Sequence, residues 1–213
     1  MVEYFVKYHD KLFRALAEHI QMVGTTLLVS VMIALLITLL VMDAPKLSRM
    51  ILQICNMIYS IPSLALFALL IPLTGLGSGT AIVVLVIYNQ YILVRSFTEG
   101  LNMVDPAILE AAVGMGMNRR QVFFRVRLPL ALDSFVAGIQ VAIISTIGIA
   151  TIGATIGAGG LGSILFDGMR TQNNVKIFWG TLLSVLLVLG ANAVLGFLVK
   201  RVNRRIYGGR QRD

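Results

Sequence analysis

The residue types that most often carry out catalysis are few in this sequence and stand apart from one another. His9 and His19 have no metal-ligating partner at a useful spacing, and Cys55 is the single cysteine. The sequence has no Gly-rich loop followed by Lys and Ser or Thr, the pattern that would bind the phosphates of ATP. Ser60, Ser63 and Ser145 lie within apolar segments. We expect each hydroxyl to form a hydrogen bond to the backbone or to a neighbouring helix. We therefore expect no catalytic residue, no metal site and no cofactor in this chain.

Small residues after position 105 predict a surface that another protein can approach closely. Asp105-Pro106 is typical of an N-cap followed by proline at the first helical position. Ala107, Ala111 and Gly114 then fall on one face of the predicted helix. A partner can come close to the backbone at such a face, because no long side chain stands in the way.

A second short helix is predicted directly after this one. Asn118 can cap it, and we expect it to run to Arg127 before Leu128-Pro129 closes it. The segment 105–129 would then be two short helices joined by a glycine bend.

The elements that must position this loop are membrane helices. The chain is 57% hydrophobic and 13% charged, with a mean hydropathy of +0.86. No Asp, Glu, Lys or Arg occurs from Met50 to Val94 or from Ser134 to Phe166. Crossing a hydrocarbon core of about 30 Å takes about 20 apolar residues, so each run can hold at least one span. We therefore predict an all-α membrane protein.

Five transmembrane helices are expected, with the loop 105–129 between the third and the fourth. Their predicted positions are Ile20–Met42, Met50–Ile71, Thr80–Phe97, Leu130–Gly153 and Phe178–Val199. Residues 1–19 have helical amphipathic periodicity, which predicts an interfacial helix ahead of the transmembrane domain at 20–199. A basic tail is expected at 200–213.

The distribution of basic residues predicts the orientation. Of the 18 Lys and Arg residues, only Lys7, Lys11, Arg14, Arg170 and Lys176 would lie outside if the amino terminus is outside. The other thirteen (18 − 5) would lie inside, which agrees with the positive-inside rule and places the carboxyl terminus in the cytoplasm. Anionic membrane lipid accounts for the net charge of +8, so we expect no nucleic-acid partner.

The loop resembles the cytoplasmic loop of ABC importer permeases, whose pattern is E-A-A, three residues, G, nine residues, I, one residue, L-P. Glu110-Ala111-Ala112, Gly116 and Leu128-Pro129 match it at every spacing, and Val126 replaces the isoleucine. The resemblance implies a coupling helix that docks on a separate ATP-binding subunit, which would hold the ATP and Mg. The implied contact residues are Glu110, Ala111, Ala112 and Gly116, with Arg119 and Arg120 as neighbours.

Several stretches are similar to the type I permeases, related to the methionine permeases, that import glycine betaine, choline and carnitine. They are Ile61–Leu66, Ile71–Gly77, Val104–Pro106, Gly114–Met117 and Ile156–Gly162. The similarity covers about Ile20 to Val199 and implies an osmoprotectant as cargo. The methionine permeases, similar in size and span count, remain the alternative.

Polar residues in the third and fourth spans are candidates for lining the translocation pathway. Asn89 and Gln90 could face the pathway or bond across helices, and the second role is slightly favoured. Tyr88 and Tyr91 could meet a quaternary ammonium by cation–π attraction. Gln140 stands where a basic residue is common in these permeases.

Glycines after the fourth span predict a re-entrant turn near the outer mouth of the pathway. They are Gly157, Gly159, Gly160 and Gly162.

The predicted protein is half of a permease pair in the bacterial plasma membrane. A second copy or a paralogue, an ATP-binding subunit and an extracellular solute-binding protein are the expected partners, and this chain would catalyse no covalent chemistry. A stand-alone channel or secondary carrier is the first alternative, although the spans lack the buried charges typical of such pumps. A membrane scaffold is the second alternative, and it would leave the coupling motif unexplained.

Overall fold

The computed structural model describes residues 1–206, which form helices joined by short turns. The α-helices are α1 (Val2–Val41), α2 (Pro45–Tyr59), α3 (Ser63–Thr74), α4 (Ser78–Asn102), α5 (Pro106–Gly114), α6 (Arg119–Val122), α7 (Leu128–Ile152), α8 (Leu161–Arg170) and α9 (Asn174–Ile206). A π-helical segment (Phe123–Arg127) precedes α7, and a 3₁₀ turn (Gly153–Ile156) follows it. The predicted all-α class is confirmed. Residues 207–213 of the predicted basic tail lie outside the described residues.

Among the described residues, four helices are long and apolar enough to cross a membrane, and the number rises to five if one bent pair of helices is counted as a span. The four are Glu3–Val41, Ser78–Asn102, Arg119–Ile156 and Asn174–Arg201. The predicted second span is instead two helices, α2 and α3, at 96° to each other. The break lies at Pro62, which lacks a backbone N–H and disfavours the helical conformation at Ile61. The Tyr88 hydroxyl donates to the Ile61 carbonyl, which the break leaves without a helical partner.

The amino-terminal segment is continuous with the first span. α1 runs to Val41, and its non-helical backbone angles lie at Tyr8 rather than near residue 20. The buried stripe of its first half consists of Leu12, Ala15 and His19, whereas Ile20 is exposed. The helix continues without a break from residue 9 into the first span, and the place of residues 1–19 at the membrane interface stays a prediction.

α4 is the central helix of the chain. It packs against α1, α2, α3 and α7, and it is the most buried of the long helices, while α9 is the least buried.

Two reciprocal serine–glycine contacts bring α4 and α7 together. A Cβ added to Gly138 would lie 2.5 Å from the Cβ of Ser96, and one added to Gly100 would lie 2.6 Å from the Cβ of Ser134. Each helix therefore carries a Ser-x-x-x-Gly pair that faces the pair of the antiparallel neighbour. Small residues allow this close approach, which drives helix association in a bilayer where the lipid is as apolar as the helices.

At the other end of α7, α8 and α9 form a hairpin. Asp167 accepts hydrogen bonds from Lys176 Nζ at 2.8 Å and from Arg170 at 3.2 Å. These donors hold the pKa of the Asp167 carboxyl below its ordinary value. The Lys176 ion pair thereby ties α8 to the start of α9, whereas the Arg170 pair lies within α8.

We predict that Gly138→Leu destabilises the chain by about 1–3 kcal/mol, because the added side chain must push α4 and α7 apart. Gly148→Leu on the same helix is the matched control, since a Cβ there would find nothing within 4 Å. The measurement is thermal unfolding of each variant in detergent. Equal melting temperatures for the two variants would contradict the close α4–α7 contact.

Candidate coupling loop and translocation face

The first helix predicted in the loop 105–129 is present and begins where the sequence indicated. Asp105 Oδ1 accepts a hydrogen bond from the Ala107 backbone N–H at 2.9 Å, and Pro106 is the first residue of α5. The side chain thus satisfies one of the N–H groups that a helix start leaves without a partner. The helix ends at Gly114.

One face of α5 is open to a partner. Glu110, Ala111 and Gly114 are exposed, and a Cβ added to Gly114 would find nothing within 4 Å. Ala112, which the resemblance also implied as a contact residue, is only 2% exposed and faces the body of the protein.

Large apolar side chains surround this open face. Met103 is 80% exposed, Met115 is 73% exposed, and Ile108 and Val113 are exposed as well. Exposed apolar groups that cluster in one loop mark an interaction surface. These residues were not predicted as contact residues from the sequence, although apolar side chains in a short loop helix indicate an interaction surface.

The bend after α5 depends on glycine and on a capped second helix. Gly116 has φ of +84°, a conformation that side chains disfavour. Asn118 and Gln121 form a capping box in which each side chain bonds to the other residue's backbone N–H, both at 2.9 Å. Arg119 and Arg120 are exposed on the first turn of α6, next to the open face of α5.

The predicted break at Leu128-Pro129 is absent. The chain continues from α6 through the π-helical segment into α7, and the Leu128 N–H donates to the Phe123 carbonyl. The wider π turn receives Pro129 at the start of α7, where the missing N–H of proline does not interrupt the helix. The loop is therefore joined to α7 by helix rather than by a flexible linker.

Arg127 ties the two ends of the loop together. Its Nε donates to the Leu101 carbonyl at 3.0 Å, and its Nη2 donates to Asn102 Oδ1 at 3.3 Å. Both acceptors lie in the last turn of α4, so the loop is held against α4 and α7 at once.

Two of the predicted pathway residues are buried between helices of this chain. Asn89 is 1% exposed and donates to Thr146 Oγ1 of α7 at 2.9 Å and to Ser30 Oγ of α1 at 3.4 Å. Tyr88 is 4% exposed and holds the Ile61 carbonyl. Both side chains make hydrogen bonds that join neighbouring helices.

The other predicted pathway residues are less buried. Gln90 donates to the Val86 carbonyl at 3.0 Å and to the Ser30 carbonyl at 3.4 Å. Gln140 is half-buried on α7. Tyr91 is half-buried, and its hydroxyl accepts a hydrogen bond from Arg95 at 3.0 Å on the wall of a groove between α2 and α4.

The glycine turn after α7 borders a cavity of about 360 Å³. Gly157 and Gly159 line it together with residues of α1 and α4, among them Glu18 and Gln21. Glu18 Oε2 accepts a hydrogen bond from the Gly160 backbone N–H at 3.1 Å, which fastens the turn to α1.

The last two glycines of the turn allow close packing. A Cβ on Gly160 would lie 2.8 Å from Nδ1 of the fully buried His19, and one on Gly162 would overlap the backbone of Thr151. The structure thus places Gly157 and Gly159 at the cavity, and Gly160 and Gly162 behind it.

We predict that Asn89→Ala lowers the stability of the chain by about 0.6 kcal/mol or more, the average for an interhelical hydrogen bond in a membrane, and leaves cargo preference unchanged. The measurements are thermal unfolding in detergent and the cargo preference of the assembled transporter. Asn56→Ala is the control for stability, since Asn56 is exposed on α2. An unchanged melting temperature with an altered cargo preference would place Asn89 in the pathway instead.

Comparison with known proteins identifies the family. Residues 27–207 match the family described as binding-protein-dependent transport system inner membrane component. The chain is 39% identical over 163 residues to the ergothioneine transport permease/ergothioneine binding protein EgtU of Helicobacter pylori (strain G27), covering 76% of this chain and 30% of that protein. It is 36% identical over 159 residues to the glycine betaine/carnitine/choline transport system permease protein OpuCD of Bacillus subtilis (strain 168), covering 74% of this chain and 69% of that one.

A solved structure has the same fold. An inward-facing conformation of the MetNI methionine ABC transporter superposes with a TM-score of 0.78 at 26% identity, covering 92% of this chain and 95% of that one. The resemblance indicated by the coupling motif is thus confirmed, and so is the multi-pass membrane location. This chain belongs to the family of binding-protein-dependent transport system inner membrane components, the permeases of ABC importers.

Proposed function

We propose that this chain is the transmembrane permease subunit of an ATP-driven importer whose cargo carries a trimethylammonium group. The names of the two relatives support the cargo, since ergothioneine, glycine betaine, carnitine and choline all contain that group. The chain spans only 30% of the length of the Helicobacter relative and 69% of the Bacillus one. Glycine betaine, carnitine and choline are the osmoprotectants expected from the sequence. Ergothioneine is a further candidate cargo with the same trimethylammonium group.

The observation that carries the proposal is the open face of α5. A helix with small residues on its exposed side, apolar side chains around it and a firm connection to α7 is built to receive a partner and to transmit its movement. The partner we propose is a separate ATP-binding subunit that holds the ATP and Mg, with Glu110, Ala111 and Gly116 at the contact. Ala112 would support that contact from behind. Arg119 and Arg120 would pair with acidic groups of that subunit.

A second permease copy or a paralogue would complete the pathway. The cavity beside Glu18 and the groove between α2 and α4 both open at the surface of this chain, so a second permease is needed to close them off from lipid. A solute-binding protein would deliver the cargo on the outer side. The excess of basic residues near the coupling loop supports an outer amino terminus and a cytoplasmic carboxyl terminus.

Methionine is the alternative cargo, and the likeness to a methionine transporter supports it. That likeness, at 26% identity, is lower than the likeness to either trimethylammonium permease. Methionine has a primary ammonium group, so it serves as the discriminating compound in an assay.

We predict that the assembled transporter in nanodiscs, supplied with its binding protein, hydrolyses ATP faster when carnitine, glycine betaine, choline or ergothioneine is added. The trimethylammonium cargo should stimulate hydrolysis, because its delivery favours the closed ATPase pair. Gly114→Leu should abolish the stimulation and the co-purification of the ATPase, since the leucine occupies the space that the partner needs. Stimulation by methionine alone would contradict the proposed cargo.

Gly190→Leu is the control for this variant, because it makes the same glycine-to-leucine change at an exposed position of α9, outside the coupling loop, where an added Cβ would find nothing within 4 Å. The free chain should melt at the same temperature with either substitution, since neither position is packed. Full stimulation in the Gly114→Leu transporter would contradict the assignment of α5 as the coupling helix.

A further inference from the structure

A groove between α2 and α4 has a composition that a helix surface facing lipid would not have. We define the α2–α4 groove as the space of about 270 Å³ lined by Arg49, Leu52, Gln53, Asn56, Tyr91, Arg95 and Glu99. Its volume is close to the lower limit, about 300 Å³, of pockets that bind small molecules. We propose that this groove is a cargo subsite that recognises both ends of a zwitterion, the carboxylate through its arginines and the trimethylammonium through its tyrosines.

The wall formed by α2 is polar along its length. Arg49, Gln53 and Asn56 are four and three residues apart, so they lie on one face of the helix, and all three are exposed in this chain. A helix rises about 1.5 Å per residue, so the stripe covers roughly 10 Å of depth from the start of α2 into the membrane. Charged and amide groups are costly against lipid and typically face a water-filled pathway or a protein. The stripe therefore faces the pathway or the second permease. In either position, water in the groove can hydrate its polar groups.

The wall formed by α4 holds a connected set of polar groups. Arg95 Nε donates to Glu99 Oε1 at 2.8 Å, and Arg95 Nη1 donates to the Tyr91 hydroxyl at 3.0 Å. Glu99 neutralises one of the two arginines, so the groove keeps an excess of one positive charge. Among the described residues, the hydrogen bond assigned to the Arg49 side chain is from Nε to the Pro45 carbonyl at 3.3 Å. The terminal N–H groups of Arg49 are thus available for a carboxylate, which arginine binds with two parallel hydrogen bonds.

Tyr91 lines the groove, and Tyr59 packs beside it. Tyr59 is 37% exposed, and the centroids of the two rings lie 5.0 Å apart. The Arg95 guanidinium already lies 5.9 Å from the centre of the Tyr91 ring, so this ring accepts a cation in the present geometry. A trimethylammonium group is attracted to the face of tyrosine in the same way.

The separation of the two kinds of group fits a small betaine. Arg49 and Tyr91 lie on opposite walls of the same groove of about 270 Å³, so one small molecule with both charges can reach both side chains. Two tyrosines form an open wall rather than a closed cage, so the cargo is held briefly and can leave. Choline carries the cation without a carboxylate and therefore engages one half of the subsite. The inference rests on the proposed function and adds to it a preference for carboxylated trimethylammonium compounds.

The test is uptake of radiolabelled glycine betaine and choline by proteoliposomes that contain the whole transporter. Arg49→Gln should lower the ratio of glycine betaine to choline uptake by about tenfold, the effect of losing one hydrogen bond to a charged group. Arg49→Lys should restore part of the ratio, because the charge returns without the second hydrogen bond. Lys46→Gln is the matched control, since it removes the same charge from an exposed position of α2 that does not line the groove.

The aromatic half is tested at Tyr59. Tyr59→Leu should lower uptake of both compounds, whereas Tyr59→Phe, which keeps the ring, should retain most of it. An unchanged ratio in Arg49→Gln, or equal losses in Tyr59→Leu and Tyr59→Phe, would overturn the subsite while leaving the importer intact. Failure of the unaltered transporter to take up either compound would instead overturn the proposed function, and the subsite with it.

Discussion

The close contact between α4 and α7 is the constraint on which the rest of this structure depends. A bilayer supplies no hydrophobic force between helices, so their association relies on packing and on interhelical hydrogen bonds. The Ser96–Gly138 and Gly100–Ser134 contacts bring the two backbones together. The Asn89–Thr146 hydrogen bond fixes the same pair of helices further along, at 2.9 Å.

The same contact determines what the coupling loop can do. α4 leads into the loop and α7 leads out of it, so their spacing sets the distance between its two ends. Arg127 then joins the ends directly, and the π-helical segment makes the connection to α7 continuous. We therefore expect a push on α5 to move α4 and α7 as a unit. The bent pair α2 and α3 is attached to that unit mainly through α4, and this places the polar wall of α2 where a movement of α4 changes the groove between them.

Local patterns in the sequence predicted where the helices of the loop 105–129 begin, but they did not predict how the helices pack. The caps at Asp105 and Asn118 depend on residues two or three positions away, so they could be predicted. The helical continuity through Pro129 could not be predicted, because it depends on a π turn that accommodates the proline. The burial of Ala112 was equally hidden, since a small residue on a helix does not reveal which neighbour its face meets. The α2–α4 groove needed the structure for the same reason, because its two walls are distant in sequence.

This chain is expected to form a pathway that transports cargo only when a partner ATPase hydrolyses ATP. The most direct measurement is accumulation of radiolabelled carnitine in proteoliposomes that contain the chain with its ATPase, with the binding protein on one side and ATP on the other. The account predicts accumulation against a gradient only when both ATP and the binding protein are present. Equal carnitine flux in vesicles that contain this chain alone, without an ATPase, would contradict it.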